Sequence, residues 1–333
     1  MYTYSTYKIY FNLIIMEDQF YDVFVNAKNI INTGNYQKGI EELSSTEINE
    51  EDIVQIIRYK FYTFLIYIED DRQEELNDLL AELKEAKDQQ KLYYNIFRFY
   101  TVFVLKKQYK EEVLNKMIQD IMQIPNPGSI LQPAIYILSL ILLEIDDRER
   151  FLKLTSKISG VDSEVASLVV LYYIKLNRLE DAEKVLSGIK DKDSDSTCIS
   201  ILEIIILFLK GNNDKDTYNY SNVETAFTMI SSIKSNYQMT PKLFNLLGIS
   251  LMFKGNFKDA VKPLNLAIDN CQKNSVCSRE LPSLYVNLIC CYRNLGYDND
   301  IHDCEEKLRN IDNKNNYFDK VKNFEEEFAK VVG

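Results

Sequence analysis

The sequence predicts an all-α protein, a single α-solenoid of roughly seven helix hairpins. Three observations carry that expectation. The 333 residues contain only 10 Gly and 6 Pro, so helices run far before a breaker stops them. Apolar residues recur at a period near 3.6 along most of the chain, the spacing of one helix face and not of a strand. The same arrangement of large, small and turn residues then returns several times, which marks a stacked array of similar units. With 46% hydrophobic residues, such an array has ample material for a continuous core.

The first segment, MYTYSTYKIYFNLIIM, fails as a signal peptide, because its apolar run is short and neither a basic start nor a small-residue cleavage site flanks it. It is also too short to cross a bilayer. Amphipathic helical sequence begins at Met16, so residues 1–15 are expected to be an extension, either disordered or the product of an upstream start, and residues 16–333 one solenoid domain. In that domain YDVFVNAKNIINTGNYQKGIEEL supplies a first hairpin, with Val23, Ala27, Ile30, Gly34, Tyr36, Gly39 and Leu43 in frame. Between 53 and 160 helices continue but the repeat degenerates, as in LYYNIFRFYTVFVLKKQYKEEVL. VASLVVLYYIKLNRLEDAEKVL restores it, with Val169, Tyr173, a turn at Asn177, then Leu179, Ala182 and Leu186.

The pattern is tightest in LFNLLGISLMFKGNFKDAVKPLNLAIDN, residues 243–270. Phe244, Leu247, Gly248 and Leu251 share one face of a first helix, Gly255 stops it, and Phe257, Ala260, Leu264 and Ala267 share the inner face of a second. Small residues at 248, 260 and 267 are what two closely crossing helices require. This order resembles the tetratricopeptide repeat. LYVNLICCYRNLGYDNDIHDCEEKL follows with Tyr285, Leu288, Tyr292 and Gly296, then loses the small residues, as a terminal repeat can. Residues 211–222 and 271–282 are expected to be insertions, the first an exposed loop.

Composition excludes several classes of function. Thirty-nine Lys and Arg against 50 Asp and Glu leave a net charge of −11, which opposes nucleic acid and anionic lipid. The six cysteines, all in the C-terminal half, are too sparse for a disulfide scaffold and fit a reduced cytoplasmic setting. Cys271, Cys277, His302 and Cys304 could be offered as zinc ligands, but no CxxC or HExxH spacing accompanies them. The single His and the lack of a phosphate-binding or nucleophile-elbow motif leave no basis for catalysis, and no cofactor is expected. Tyr and Phe are abundant but not interleaved with basic residues, so they are assigned to packing.

What remains is the concave groove of a solenoid, lined by first helices. Its candidate lining is Ser167, Leu171 and Ile174 in one repeat, Asn245, Ile249 and Met252 in another, and Val286, Cys290 and Arg293 in a third. Mostly apolar, that lining suits an amphipathic helix better than a charged tail, although core packing is an equal reading for some of it. The carboxylate clamp of tetratricopeptide co-chaperones is disfavoured, because Leu246 and Ile249 stand where it would need Asn.

The order of segments resembles the epsilon subunit of coatomer, the COPI vesicle coat. The likeness runs through NAKNIINTGNYQKGIEE, LVVLYYIKLNRLEDAEKVL, LLGISLMFKGNFKDAVKPLNLAID, SLYVNLICCYRNLGYDNDIHDCEEKLRNI and a tail bearing Asn323, Phe324, Phe328 and Val331. The resemblance implies a non-catalytic coat subunit that wraps the C-terminal domain of the alpha subunit. It would act in Golgi-to-endoplasmic-reticulum transport, cytoplasmic and peripheral on Golgi membranes, with no nucleic acid, membrane insertion or small-molecule substrate. A scaffold or adaptor of another multiprotein complex is the alternative.

Overall fold

The computed structural model describes residues 23–332 apart from 50, 87–89, 107, 125–128, 161, 194, 214–219 and 275–279. Among the described residues there are seventeen α-helices and no strand. They pair along the chain as α1 (Val25–Asn32) with α2 (Tyr36–Ser45), α3 (Ile53–Glu69) with α4 (Gln73–Glu85), and α5 (Gln90–Lys106) with α6 (Glu111–Met122). After a short 3-10 turn at Ser129–Leu131 come α7 (Gln132–Glu144) with α8 (Arg148–Thr155), then α9 (Ser163–Lys175) with α10 (Leu179–Lys190). The series closes with α11 (Thr197–Asn213) and α12 (Tyr220–Asn236), α13 (Pro241–Phe253) and α14 (Phe257–Asn274), α15 (Leu281–Leu295) and α16 (Asp298–Ile311), and an unpaired α17 (Asn316–Val332). Among the described residues the architecture is thus a tetratricopeptide-like helical repeat of eight hairpins and a final helix, one hairpin more than the roughly seven expected. The expected N-terminal extension lies outside the described residues. Both expected insertions shrink, because α11 and α12 run into 211–222 from either side and α14 continues to Asn274.

One backbone device recurs at the hairpin turns. Gly34, Asp71, Asp146, Asn177, Gly255 and Gly296 all take positive φ, between 53° and 84°. In each case the next N–H donates to the carbonyl five residues back, as Asn256 to Leu251 at 2.9 Å, Arg72 to Tyr67 at 2.9 Å and Asp147 to Leu142 at 2.9 Å. This 6→1 bond is the Schellman closure, which satisfies a carbonyl that the helix end would otherwise leave bare. Two of the six turns, at Asp71 and Asp146, sit where the repeat signature fades in the sequence. There a short polar side chain that tolerates the left-handed region does the work of Gly.

The described chain divides into two compact units. One contains the residues up to Asn29, Gln37–Ile68 and Arg72–Ile199; the other contains Ile30–Tyr36, Glu69–Asp71 and the chain from Ser200 onward. The core of the first is rich in rings. Phe64 stacks on Phe97 with centroids 4.3 Å apart, and Phe61 meets Tyr62 and Tyr136 at 5.1 and 5.5 Å. Helix α8 is capped by Asp147, whose carboxylate accepts the Arg150 N–H at 3.0 Å. The Arg150 guanidinium then bonds Asp147 at 2.6 Å and Glu111 of α6 at 2.6 Å, so one side chain joins two hairpins.

In the second unit α13 is apolar on two sides. Leu243 and Leu246 are buried with α11 and α12, where Leu247, Ile249 and Phe253 join them; Phe244, Leu251 and Met252 pack instead against the cluster of α14 to α16. The contact between α13 and α14 explains the small residue at 248. A Cβ there would lie 2.7 Å from Cδ2 and Cγ of the fully buried Leu264, far inside van der Waals contact. Ala260 and Ala267 are likewise completely buried. The Thr33 to Asn35 turn belongs to this unit too: Thr240 caps α13 by accepting the Leu243 N–H, and its hydroxyl donates to the Thr33 carbonyl.

Candidate functional site

The nine candidate lining residues fall into the two units, and the two sets are distinct. Ser167, Leu171 and Ile174 sit on α9 in the first unit. The N-terminal half of that helix is fixed by polar contacts: Asp162 caps it through the Val165 N–H at 2.8 Å, and Ser163 Oγ donates to Asp193 at 2.5 Å. Glu164 is buried and accepts from Tyr62 OH at 3.1 Å and Gln132 Nε2 at 2.6 Å. Burial pushes the Asp162 carboxyl above the ordinary range, against the pull of the Val165 N–H and of the Lys28 and Arg58 charges. Ser167 belongs to this buried end. Its hydroxyl donates to the Ser163 carbonyl at 2.6 Å and accepts from Cys198 Sγ at 3.2 Å, and the residue is 3% exposed. It therefore supports the helix from inside rather than presenting a surface. Leu171, one turn further on, is 43% exposed, and Ile174 is half-buried.

The second set is continuous. Helices α13 and α15, the first helices of consecutive hairpins, are tied by a polar seam in which Asn287 Nδ2 donates to Asn245 Oδ1 at 2.7 Å and Asn245 Nδ2 donates to Ser283 Oγ at 3.3 Å. Around that seam Ile249, Met252 and Val286 are half-buried and Cys290 is exposed. Met252 and Val286 also pack on the cluster shared by α14 to α16, so each is partly spent on the core. Cys290 and its neighbour Cys291 part company. Cys291 faces inward, its thiol pushed up to about 12 by burial, whereas Cys290 faces out, as a helical rotation of about 100° per residue requires.

Arg293 closes one end of this face and is already engaged. Its Nη2 lies 3.1 Å from Glu305 Oε1 on α16 and donates to Tyr317 OH on α17 at 2.8 Å, while Tyr317 OH donates to the same Glu305 oxygen at 2.5 Å. Burial, reinforced by Glu305, pushes the Tyr317 hydroxyl well above its usual range. The triad pins the first turn of the terminal helix, a role that the adjacent pair Glu305-Glu306 does not suggest in the sequence. Further along α17, Phe324 is 68% exposed; the side chains of Phe328 and Val331 lie outside the described residues.

As to other chemistry, no three His, Cys, Asp or Glu side chains among the described residues come together as metal ligands. Cys271 and Cys304 are buried, His302 is exposed, and Cys277 lies outside the described residues. Burial lifts the Cys304 thiol to about 11. No described helix is long and apolar enough to cross a membrane.

This geometry is a helical scaffold whose first helices expose Leu171 in one unit and Cys290 in the other, and the comparison with known proteins gives it a family. The family model described as coatomer epsilon subunit matches residues 18–333. The chain belongs to that family. Relatives include coatomer subunit epsilon-2 of Arabidopsis thaliana, 25% identical over 172 residues, and coatomer subunit epsilon-1 of the same plant, 22% identical over 278 residues. The first match covers 52% of this chain and about half (53%) of the relative; the second covers 83% and 85%. Among solved structures, the Cut9-Hcn1 hetero-tetramer of APC/C is similar with a TM-score of 0.30 and 13% identity, over 87% of this chain and 74% of that one.

Proposed function

We propose that this member of the coatomer epsilon family is a non-catalytic coat subunit. It binds the C-terminal domain of the coatomer alpha subunit through the first-helix face of α13 and α15. It acts in Golgi-to-endoplasmic-reticulum vesicle transport, cytoplasmic and peripheral on Golgi membranes. The observation that carries the reading is the family match across residues 18–333, which takes in every described hairpin. The face itself supports it: half-buried Ile249, Met252 and Val286 beside exposed Cys290 give an apolar strip with a polar seam, the composition that receives an amphipathic segment. In the first unit, and taken by itself, α9 carries the exposed apolar Leu171 as an alternative contact.

Co-expression with the alpha C-terminal domain of the same species, followed by size exclusion, tests the reading. A one-to-one complex is expected. Cys290→Glu and Leu171→Glu each change an exposed side chain, so folding is preserved, and each should weaken binding by about tenfold or more if the residue sits at the interface. A complex indifferent to both would move the interface. No complex at all would return the chain to the class of general helical-repeat scaffolds.

A further inference from the structure

The hairpin of α5 and α6, in the first unit, carries a second surface that the reading above does not use. Helix α5 buries Tyr93, Ile96, Phe97, Tyr100 and Phe103 on its inner side, which is enough to hold it in the core. Its outer side should then be polar, yet Val102 and Leu105 are 37% and 48% exposed there. Across from them Tyr109 and Val113 are 41% and 36% exposed. Four of the nine large exposed hydrophobics among the described residues thus fall within twelve consecutive positions. Between the two helices runs a groove of about 480 Å³, walled by Phe99, Val102, Val113 and Met117. The contrast with α13 and α14, where Gly248 lets the helices close on Leu264, is plain.

The charge around this groove runs against that of the molecule. The chain has a net charge of −11, but Arg98 and Lys110 line the groove and Lys106 stands exposed beside Leu105. None of the three forms an ion pair among the described residues. The carboxylate nearest to them in sequence, Glu111, is bound to Arg150 at 2.6 Å, and Glu112 is not part of the lining. An apolar trough between the two helices of one hairpin, with exposed Leu105 outside its lining and cations on its rim that meet no carboxylate among the described residues (Arg98 lies over the Tyr94 ring), has the complement of an acidic amphipathic helix. The apolar stripe of such a helix would fill the trough while its flanking carboxylates meet Arg98, Lys106 and Lys110. A small molecule would leave Leu105 uncovered, and a basic or neutral helix would leave the cations unanswered. We infer that the α5–α6 groove is a docking site for an acidic amphipathic helix of a partner protein, separate from the first-helix face of α13 and α15.

The test uses the full chain and two synthetic probes, an amphipathic helical peptide with Leu and Phe on one face and Glu on the other, and its counterpart with Lys for Glu. Fluorescence anisotropy should report binding of the acidic peptide alone, weakening as salt is raised through about 0.5 M. Val102→Glu should reduce affinity about tenfold or more, and the exposed pair Arg98→Glu with Lys110→Glu should do the same, with circular dichroism unchanged. Equal binding of both peptides, no binding of the acidic one, or affinity untouched by either variant would overturn the inference. So would a dimer of the chain, seen by sedimentation and dissolved by Val102→Glu, since the groove would then belong to a second copy.

Discussion

Single side chains set how close the helices of one hairpin come. Gly248 faces Leu264 with no room for a methyl group, so Gly248→Ala is expected to destabilise the fold by about 1–3 kcal/mol. The loss should shrink in the double variant with Leu264→Val, because the clash, and not helix propensity, causes it. Urea denaturation of Gly248→Ala, Leu264→Val and the double variant checks this; if Gly248→Ala alone proves as stable as the parent, the close crossing is wrong. At the turns the argument reverses. Asn177 is exposed and holds φ 57°, a conformation that costs any side chain something. Asn177→Gly should therefore be neutral or stabilising by up to about 1 kcal/mol, and Asn177→Val destabilising by a similar amount or more. The same measurement decides, and a stabilising Val would contradict the turn geometry.

At the scale of elements, α8 shows how a short helix is held. Hydrogen bonding from Arg150 keeps the Asp147 carboxyl below its ordinary 3.8, with the cap N–H and the guanidinium charge adding to the effect. Because the folded pKa lies below the unfolded one, the stabilisation is complete above about pH 5 and is lost as the pH falls through the folded value. Asp147→Ala should cost about 1 kcal/mol at neutral pH, and that difference should fade in acid. Thermal unfolding of parent and variant between neutral pH and about pH 3 measures it; a difference independent of pH would remove the carboxylate from the explanation. Elements also mark what could be read in advance. The hairpins at 25–45, 163–190 and 241–311 announce themselves through Gly or Asn at the turn and through Gly248, Ala182, Ala260 and Ala267 at the crossings. From 53 to 160 the turns use Asp71 and Asp146 instead, and aromatic packing replaces the small residues, so the same architecture leaves a weaker trace. The candidate face was legible on one side only. Asn245, Ile249 and Cys290 follow from helical register, but the Arg293, Glu305 and Tyr317 triad joins three helices, and nothing local in the sequence marks it. Ser167 shows the converse: register places it beside Leu171, while the tertiary bond from Cys198 on another helix holds it inside.

Across the whole molecule, helix hairpins follow one another without a metal cluster or a membrane-crossing helix among the described residues, and what varies is the outer dress of each hairpin. In such arrays stability is close to a sum of repeats and their interfaces, so exposed first-helix faces can change without unfolding their neighbours. The chain belongs to the coatomer epsilon family across residues 18–333, although its identity to the two plant relatives is only 22% to 25%. The proposed binding of the alpha-subunit domain therefore rests on a surface, that of α13 and α15, rather than on the fold. Hydrogen–deuterium exchange of the free chain and of its complex with that domain addresses this most directly. If the proposed interface is right, exchange slows in the complex along Pro241–Phe253 and Leu281–Leu295, with the α5–α6 hairpin unchanged. Protection confined to other helices, with those two untouched, would contradict it.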